Sequence, residues 1–324
     1  MAIRDVPGQP RAKTMLQHAL RTGKVAHAYL FAGPPGSGRR AMAIAFAQAL
    51  FCERGGDDAC GTCLSCRKVA SGNHPDLRLI APEGASLKIG QIRDLQRDMS
   101  YRGMNSARKV AVLEGAETMT VQAANSLLKF LEEPPDGLVA ILIAPGPQTV
   151  LPTVLSRTQL VPFVPADPAD LEEALAAEGH PRPLARTAAH LATGLDGCRA
   201  LLLDKRFAEL RKLVIQLGQE SLTRFPGVLL TAHRAFRTDL AEQADLLMHM
   251  IALWYRDLIY ARIGRTDRLV FADQADRIGE LSRRRGIGDW VRAAEMAFDT
   301  VRRIRANVPA QLALEQFLAG TREG

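Results

Sequence analysis

The sequence predicts an α/β domain followed by an all-α region, and three observations carry that prediction. Most of the four short apolar runs in the first ~160 residues are continuous rather than alternating, as in strands buried on both faces of a parallel sheet. Amphipathic helical patterns separate these runs, the order expected of an α/β domain. Beyond the proline-marked stretch "VPFVPADPAD" no strand-like run recurs.

The first run, Ala28–Ala32 (AYLFA), leads through a glycine-rich turn into a helical pattern over Ala41–Phe51. Leu77–Ile80 (LRLI) follows, then a helix over Ile92–Met99 and the run Val110–Leu113 (VAVL). The clearest helix is Thr120–Glu133, where Val121, Ala124, Leu127, Leu128 and Leu131 make one stripe. Pro134-Pro135 ends it, because proline lacks the donor that the next turn requires. Leu138–Ile143 (LVAILI) is the last clear strand. Residues 1–164 are therefore expected as the α/β domain, and Pro162, Pro165 and Pro168 as a linker. Leu171–Glu178, Pro183–Thr193 and Cys198–Leu203 suit a small helical domain at 165–204. From Lys205 long helical patterns such as Asp245–Ile263 and Trp290–Ala306 fill a third domain, 205–324. A chain of 324 residues is long enough for two or three cores.

Hydrophobic residues at 47% and charged residues at 24% are ordinary for a globular protein in water. The most apolar stretch, Leu138–Ala144, is far short of the ~20 residues of a membrane span. The start, Met1-Ala2-Ile3-Arg4-Asp5, lacks an apolar signal core, so a cytoplasmic protein with no membrane partner is expected. Net charge is +7, and residues 205–324 hold 20 Lys/Arg against 15 Asp/Glu, interspersed. Such a balance suits a nucleic-acid machine and a solvated helical surface equally. The densest basic cluster, "SRRRGIG" at Ser282–Gly288, reads as a solvated loop between helices. No helix-turn-helix or aromatic-interleaved basic strand accompanies it.

The turn after the first run is Gly33-Pro34-Pro35-Gly36-Ser37-Gly38, the glycine frame of a phosphate-binding loop. In a working loop the next two places hold Lys, which neutralises phosphate, and Ser/Thr, which coordinates Mg²⁺. Here they hold Arg39 and Arg40. Arg39 can still pair with phosphate, but its planar fork does not replace a compact ammonium. Arg40 has no lone pair for a metal and repels it. The companion acidic pair should follow the third run, where Glu114 and Gly115 stand instead. The frame suits an anion, and the catalytic metal site is lost. No functional ATP or Mg²⁺ site is expected, and Gly33, Gly36, Gly38, Arg39 and Arg40 form a relic loop.

Cys52, Cys60, Cys63 and Cys66 lie within a fifteen-residue span containing two C-x-x-C steps. In a reducing compartment these thiols are not a disulfide framework. Four thiolates can surround Zn²⁺ tetrahedrally, leaving no position for substrate water, so a structural zinc at about 52–66 is expected. Gly55-Gly56-Asp57-Asp58 is too polar to fold without such a centre. The alternatives are unmetallated thiols, or His74 as a substitute ligand. Cys198 stands alone and reads as a buried helix residue.

With these features in hand the chain resembles the clamp-loader subunits of the AAA+ class, and among them the delta-prime family of bacterial DNA polymerase III. The resemblance spans essentially the whole length. It rests on "AHAYLFAGPPGSGR" (Ala26–Arg39), the cysteine insert, "NSLLKFLEEPP" (Asn125–Pro135), Ser156-Arg157-Thr158 and "NVPAQLALEQFL" (Asn307–Leu318). It implies an AAA+ P-loop-type sheet domain with a zinc-binding insert, a small helical lid and a C-terminal helical collar.

Motor subunits of this class hydrolyse ATP, whereas delta-prime is a stator with a decayed site. Arg39, Arg40, Glu114 and Gly115 match the second pattern. So do Ala144, where motor subunits carry a polar sensor, and Gly197, at the second-sensor Arg position after Gly194. Arg199 lies two residues further on and does not inherit that role. In the family the Arg of Ser-Arg-Cys reaches into the neighbouring motor subunit's ATP site, so Arg157 is implied as a trans-acting arginine finger. Thr158 stands in place of the usual Cys. The implied partners are the ATPase motor subunits and delta and, through the complex, the sliding clamp and primed DNA. The alternatives are an ATP-hydrolysing motor subunit, which requires Lys at 39 and Ser/Thr at 40, or a stand-alone DNA-binding protein.

Overall fold

A computed structural model describes residues 2–100, 108–223, 225–235 and 243–323. The chain divides into two compact units, Met1–Asp167 and Pro168–Gly324.

The first unit is built on a five-stranded, wholly parallel sheet. Its strands are β1 (Ala28–Ala32), β2 (Leu77–Ile80), β3 (Lys109–Leu113), β4 (Leu138–Ala144) and β5 (Gln159–Pro162), in the order β2-β3-β4-β1-β5. Three of the four apolar runs become the central strands β3, β4 and β1, every residue of which is buried, and Leu77–Ile80 becomes the edge strand β2. Successive side chains of a strand point to opposite faces, and the packing divides accordingly. Tyr29, Phe31, Val110, Val112, Ile141 and Ile143 pack on one face against α1 (Pro10–Thr22) and α2 (Arg39–Leu50). Leu30, Ala111, Leu113, Ala140 and Leu142 pack on the other against α4 (Ile89–Ser100) and α5 (Val121–Glu132). The short α3 (Leu64–Ala70) belongs to the cysteine insert, and α6 (Pro152–Leu155) precedes β5.

Two expectations need correcting, and one helix went unread. Pro162 belongs to β5 rather than to a linker: β5 pairs with β1 at the sheet edge, and Phe163 beyond it is buried. An edge is where a strand tolerates proline, since one side of the ladder has no partner to lose. Helix α1 follows Pro10 and escaped the pattern reading. On α5 the buried positions are Ala123, Ala124, Leu127, Phe130 and Leu131, while Val121 is exposed. Val121 is the first residue after the capping Thr120, whose side chain accepts a hydrogen bond from Ala123 N.

The second unit contains no strand among its described residues. Three short helices, α7 (Pro168–Ala177), α8 (Arg182–Leu191) and α9 (Gly194–Leu203), precede α10 (Lys205–Thr223), α11 (Phe225–Ala235), α12 (Ala244–Arg262), α13 (Ala275–Ser282), α14 (Ile287–Arg305) and α15 (Ala310–Glu323). Trp254 on α12 and Trp290 on α14 are fully buried. Asp257 on α12 accepts the Phe271 N–H at 2.7 Å, and burial pushes its carboxyl up to about 6. Arg186 of α8 clasps Glu172 of α7 and donates to Leu269 O. The basic cluster at Ser282–Gly288 bridges α13 and α14, as read from sequence.

Candidate functional site

One arginine–glutamate pair stands beside the glycine loop. At the end of β1, Gly33 N donates to Ala144 O at 3.2 Å. A Cβ on Gly33 would lie 2.4 Å from Phe163 O and 2.6 Å from Phe163 Cβ. This glycine is thus required by the chain leaving β5, whatever the loop binds. Gly36 and Gly38 have φ of 74° and 80°, left-handed backbone that suits glycine. Gly38 caps α2, so Arg39 and Arg40 stand in the first turn, where the helix dipole disfavours cations. An acid offsets that cost at Arg40: its Nε lies 2.6 Å from Glu114 Oε1. The arginine in the metal-binding hydroxyl's place is thus paired with the acid in the metal-holding place.

Arg39 is half-buried, and no hydrogen bond or ion pair holds it among the described residues. Burial lowers its pKa, against the field of nearby Glu117. Gly115 has φ of 67°, and a Cβ there would meet Pro82 Cγ at 2.9 Å, so any side chain at this place, an acid's included, would be strained. Ala144 ends β4 with a buried methyl. Gly33→Ala should lower stability by about 1–3 kcal/mol, the usual cost of overpacking. Urea unfolding checks this, and an unchanged midpoint would return Gly33 to a purely ligand-facing role.

The cysteine insert follows α2. Cys52 lies just beyond that helix, Cys63 caps α3, Cys66 is inside α3, and Cys60 sits in the loop between. The four Sγ atoms lie within 4.8 Å of one another, and Cys60 Sγ and Cys66 Sγ are 3.9 Å apart. A tetrahedral Zn²⁺ with bonds of ~2.3 Å sets its sulfurs about 3.8 Å apart, so the quartet fits that ion. Backbone N–H groups of Cys60, Cys63 and Cys66 donate to Cys52 Sγ, Cys60 Sγ and Cys63 Sγ, each at 3.4 Å. The N–H of Cys63 and the Thr62 donors pull the Cys60 thiol down to about 5, while burial pushes the Cys66 thiol up.

His74 is outside this group. It stacks on Phe51 with ring centres 3.9 Å apart, its Nδ1 accepts the Asp76 N–H, and burial lowers its pKa. It packs rather than ligates. Asp58 ties the insert to the amino terminus, accepting from Ile3 N at 2.7 Å and Arg4 N at 3.1 Å.

Arg157 lies between α6 and β5 with its side chain 37% exposed. Its Nη1 donates to Thr153 O at 3.0 Å and Ser156 Oγ at 3.3 Å. Its Nη2 is 2.6 Å from Oε1 of Glu132, the last residue of α5. Sequence reasoning missed Glu132, because the Glu132-Glu133 doublet before two prolines carries no sign of its partner. In the second unit, Gly197 lies inside α9, and Arg199 is held by Glu178 and Asp196. Cys198 is buried, which pushes its thiol up to about 11.

Residues 8–167 match the family model described as DNA polymerase III, delta subunit. The DNA polymerase III delta' subunit of Bacillus subtilis is 33% identical over 321 residues, covering 98% of this chain and 97% of that protein. The delta' subunit of Pseudomonas aeruginosa is 42% identical over 173 residues, 48% of this chain and 53% of that protein. Among solved structures, a DNA polymerase III gamma subunit-related protein of Thermotoga maritima aligns at 20% identity with a TM-score of 0.44. That alignment covers 97% of this chain and 99% of the other.

Proposed function

The chain belongs to the family of the DNA polymerase III delta' subunit, and from that premise we propose that it is the non-hydrolysing member of a clamp loader, giving Arg157 to a neighbouring motor subunit. The observation that carries the first half is the Arg40–Glu114 pair at 2.6 Å. Phosphoryl transfer to water needs a metal ion across the phosphates and a group that orients the water. Arg40 takes the place of one metal ligand and occupies the acid that would be the other. Gly115 and Ala144 supply no polar group to orient water.

The second half rests on Arg157 being partly exposed and outside the core, at the place where the family's Ser-Arg-Cys motif stands. Its partners on this reading are the ATPase motor subunits and delta. The complex as a whole acts on the sliding clamp and primed DNA, as part of DNA polymerase III. Residues 165–204 serve as the lid and 205–324 as the collar. Cys52, Cys60, Cys63 and Cys66 hold a structural Zn²⁺, which supplies order to the insert and no chemistry to a substrate. No helix among the described residues is long and apolar enough to cross a membrane.

The purified chain should show no Mg²⁺-dependent ATPase above background, and the double variant Arg39→Lys, Arg40→Thr should not restore it. Phosphate release measured on both proteins tests this. Turnover by the unmodified chain that Arg39→Ala abolishes would make it a motor subunit instead.

A further inference from the structure

We propose that Glu132 is a latch on Arg157, holding the guanidinium in the unassembled subunit and yielding it when a neighbour's nucleotide arrives. The proposal rests on the reading of Arg157 as a finger. A guanidinium has five N–H donors. Nη1 is engaged on Thr153 O and Ser156 Oγ, which lie on α6 and at its end, and Nη2 lies 2.6 Å from Glu132 Oε1. Bidentate recognition of a phosphate uses two adjacent donors, and Nη2, the nitrogen beside Glu132, belongs to both edges of the guanidinium, with Nη1 on one and Nε on the other. Glu132 and a γ-phosphate are therefore competitors for Nη2.

The competition is winnable because both side chains of the pair meet solvent, 37% for Arg157 and 49% for Glu132. Exposed pairs are weak and are screened by salt. A phosphate carries more charge than one carboxylate and meets the guanidinium in a drier interface, so it displaces Glu132. Placement adds a second consequence. Glu132 ends α5, whose Ala123, Leu127 and Leu131 pack against the sheet. The latch thus stands on a rigid element rather than on a loop, so it presents Arg157 from a fixed point. Glu132 is a positioning residue here, acting only through Arg157.

The test uses the reconstituted clamp loader, with ATPase measured over a range of ATP concentrations. Glu132→Gln keeps the shape and removes the charge, so kcat/KM at the adjoining site should rise by up to about fivefold, the span an exposed pair commands. The gain should shrink as salt rises, and it should vanish when Arg157→Ala is present. Glu132→Ala should shift kcat/KM in the same direction, and circular dichroism of each variant confirms the fold. A Gln variant at or below wild-type kcat/KM, while Arg157→Ala remains depressed, would overturn the latch and leave the finger standing. A gain that persists beside Arg157→Ala would also overturn it. Full activity of Arg157→Ala alone would remove both the finger and its latch.

Discussion

Replacing Arg157 with Ala should lower ATP turnover at the adjoining motor site by roughly 10³–10⁵, the range of trans-acting arginine fingers. The guanidinium would meet charge that develops on the γ-phosphate, so its loss appears in the chemical step and then in clamp loading. This protein should remain folded and still join the complex. The local fold is carried by Val150 and Val154, which are buried, with Leu155 packed beside them. Removing an exposed pair with Glu132 costs about 1 kcal/mol at most. Arg157→Lys should rescue poorly, because an ammonium keeps the charge and loses the planar fork. Loss across the whole complex should be partial, since other motor sites would have their own neighbouring arginine. Size exclusion and DNA-stimulated ATPase on one preparation check both halves. Wild-type turnover and loading by the Ala variant would return Arg157 to the role of a surface ion-pair residue.

The second large effect concerns the insert. The protein should carry close to one equivalent of zinc, and Cys63→Ser should release it. Structural zinc contributes ~10–16 kcal/mol of apparent binding free energy in small zinc-finger peptides, most of it as folding. The loss here should be local but complete within residues 52–66. Cys63 would give one thiolate to the ion, and it caps α3, accepting the Cys66 N–H. Hydrogen exchange should therefore accelerate through α3. It should also accelerate at Ile3 and Arg4, whose N–H groups are held by Asp58 in the insert. Helices of Pro168–Gly324 should keep their protection, because the insert's hydrogen bonds named above all end within the first unit. Elemental analysis finding no zinc, in protein prepared without chelator, would remove this expectation.

Much of the fold was legible because its strands are buried on both faces. Continuous apolar runs such as Val110–Leu113 and Leu138–Ile143, set between helical patterns, suit the centre of a parallel sheet. The cysteine quartet was legible for a similar reason: C-x-x-C spacing brings sulfurs together by local chain geometry, and the sulfurs do converge. What escaped lies at edges and termini. β5 has three exposed residues and only Val161 buried between them, too little pattern to mark a strand. Helix α1 stands before the first strand, where no alternation frames it.

The phosphate loop divides along the same line. That Arg39, Arg40, Glu114 and Gly115 depart from the residues of a hydrolysing phosphate loop follows from residue type, which needs no coordinates. That Arg40 and Glu114 neutralise one another does not, because they are 74 positions apart and meet only when α2 and β3 lie side by side on the sheet. Gly33 reads as a phosphate-loop glycine until Phe163 is found 2.4 Å from its absent Cβ. Arg157 could be singled out from its neighbours in sequence, but its engagement with Glu132 depends on the ends of α5 and α6 converging. The sequence by itself determined which strands are buried, which cysteines can gather and which places of the phosphate-loop pattern are altered, since these depend on side-chain type and short spacing. Only the tertiary structure decided which charges pair and which glycines are sterically required, because those are set by where the sheet brings distant segments together.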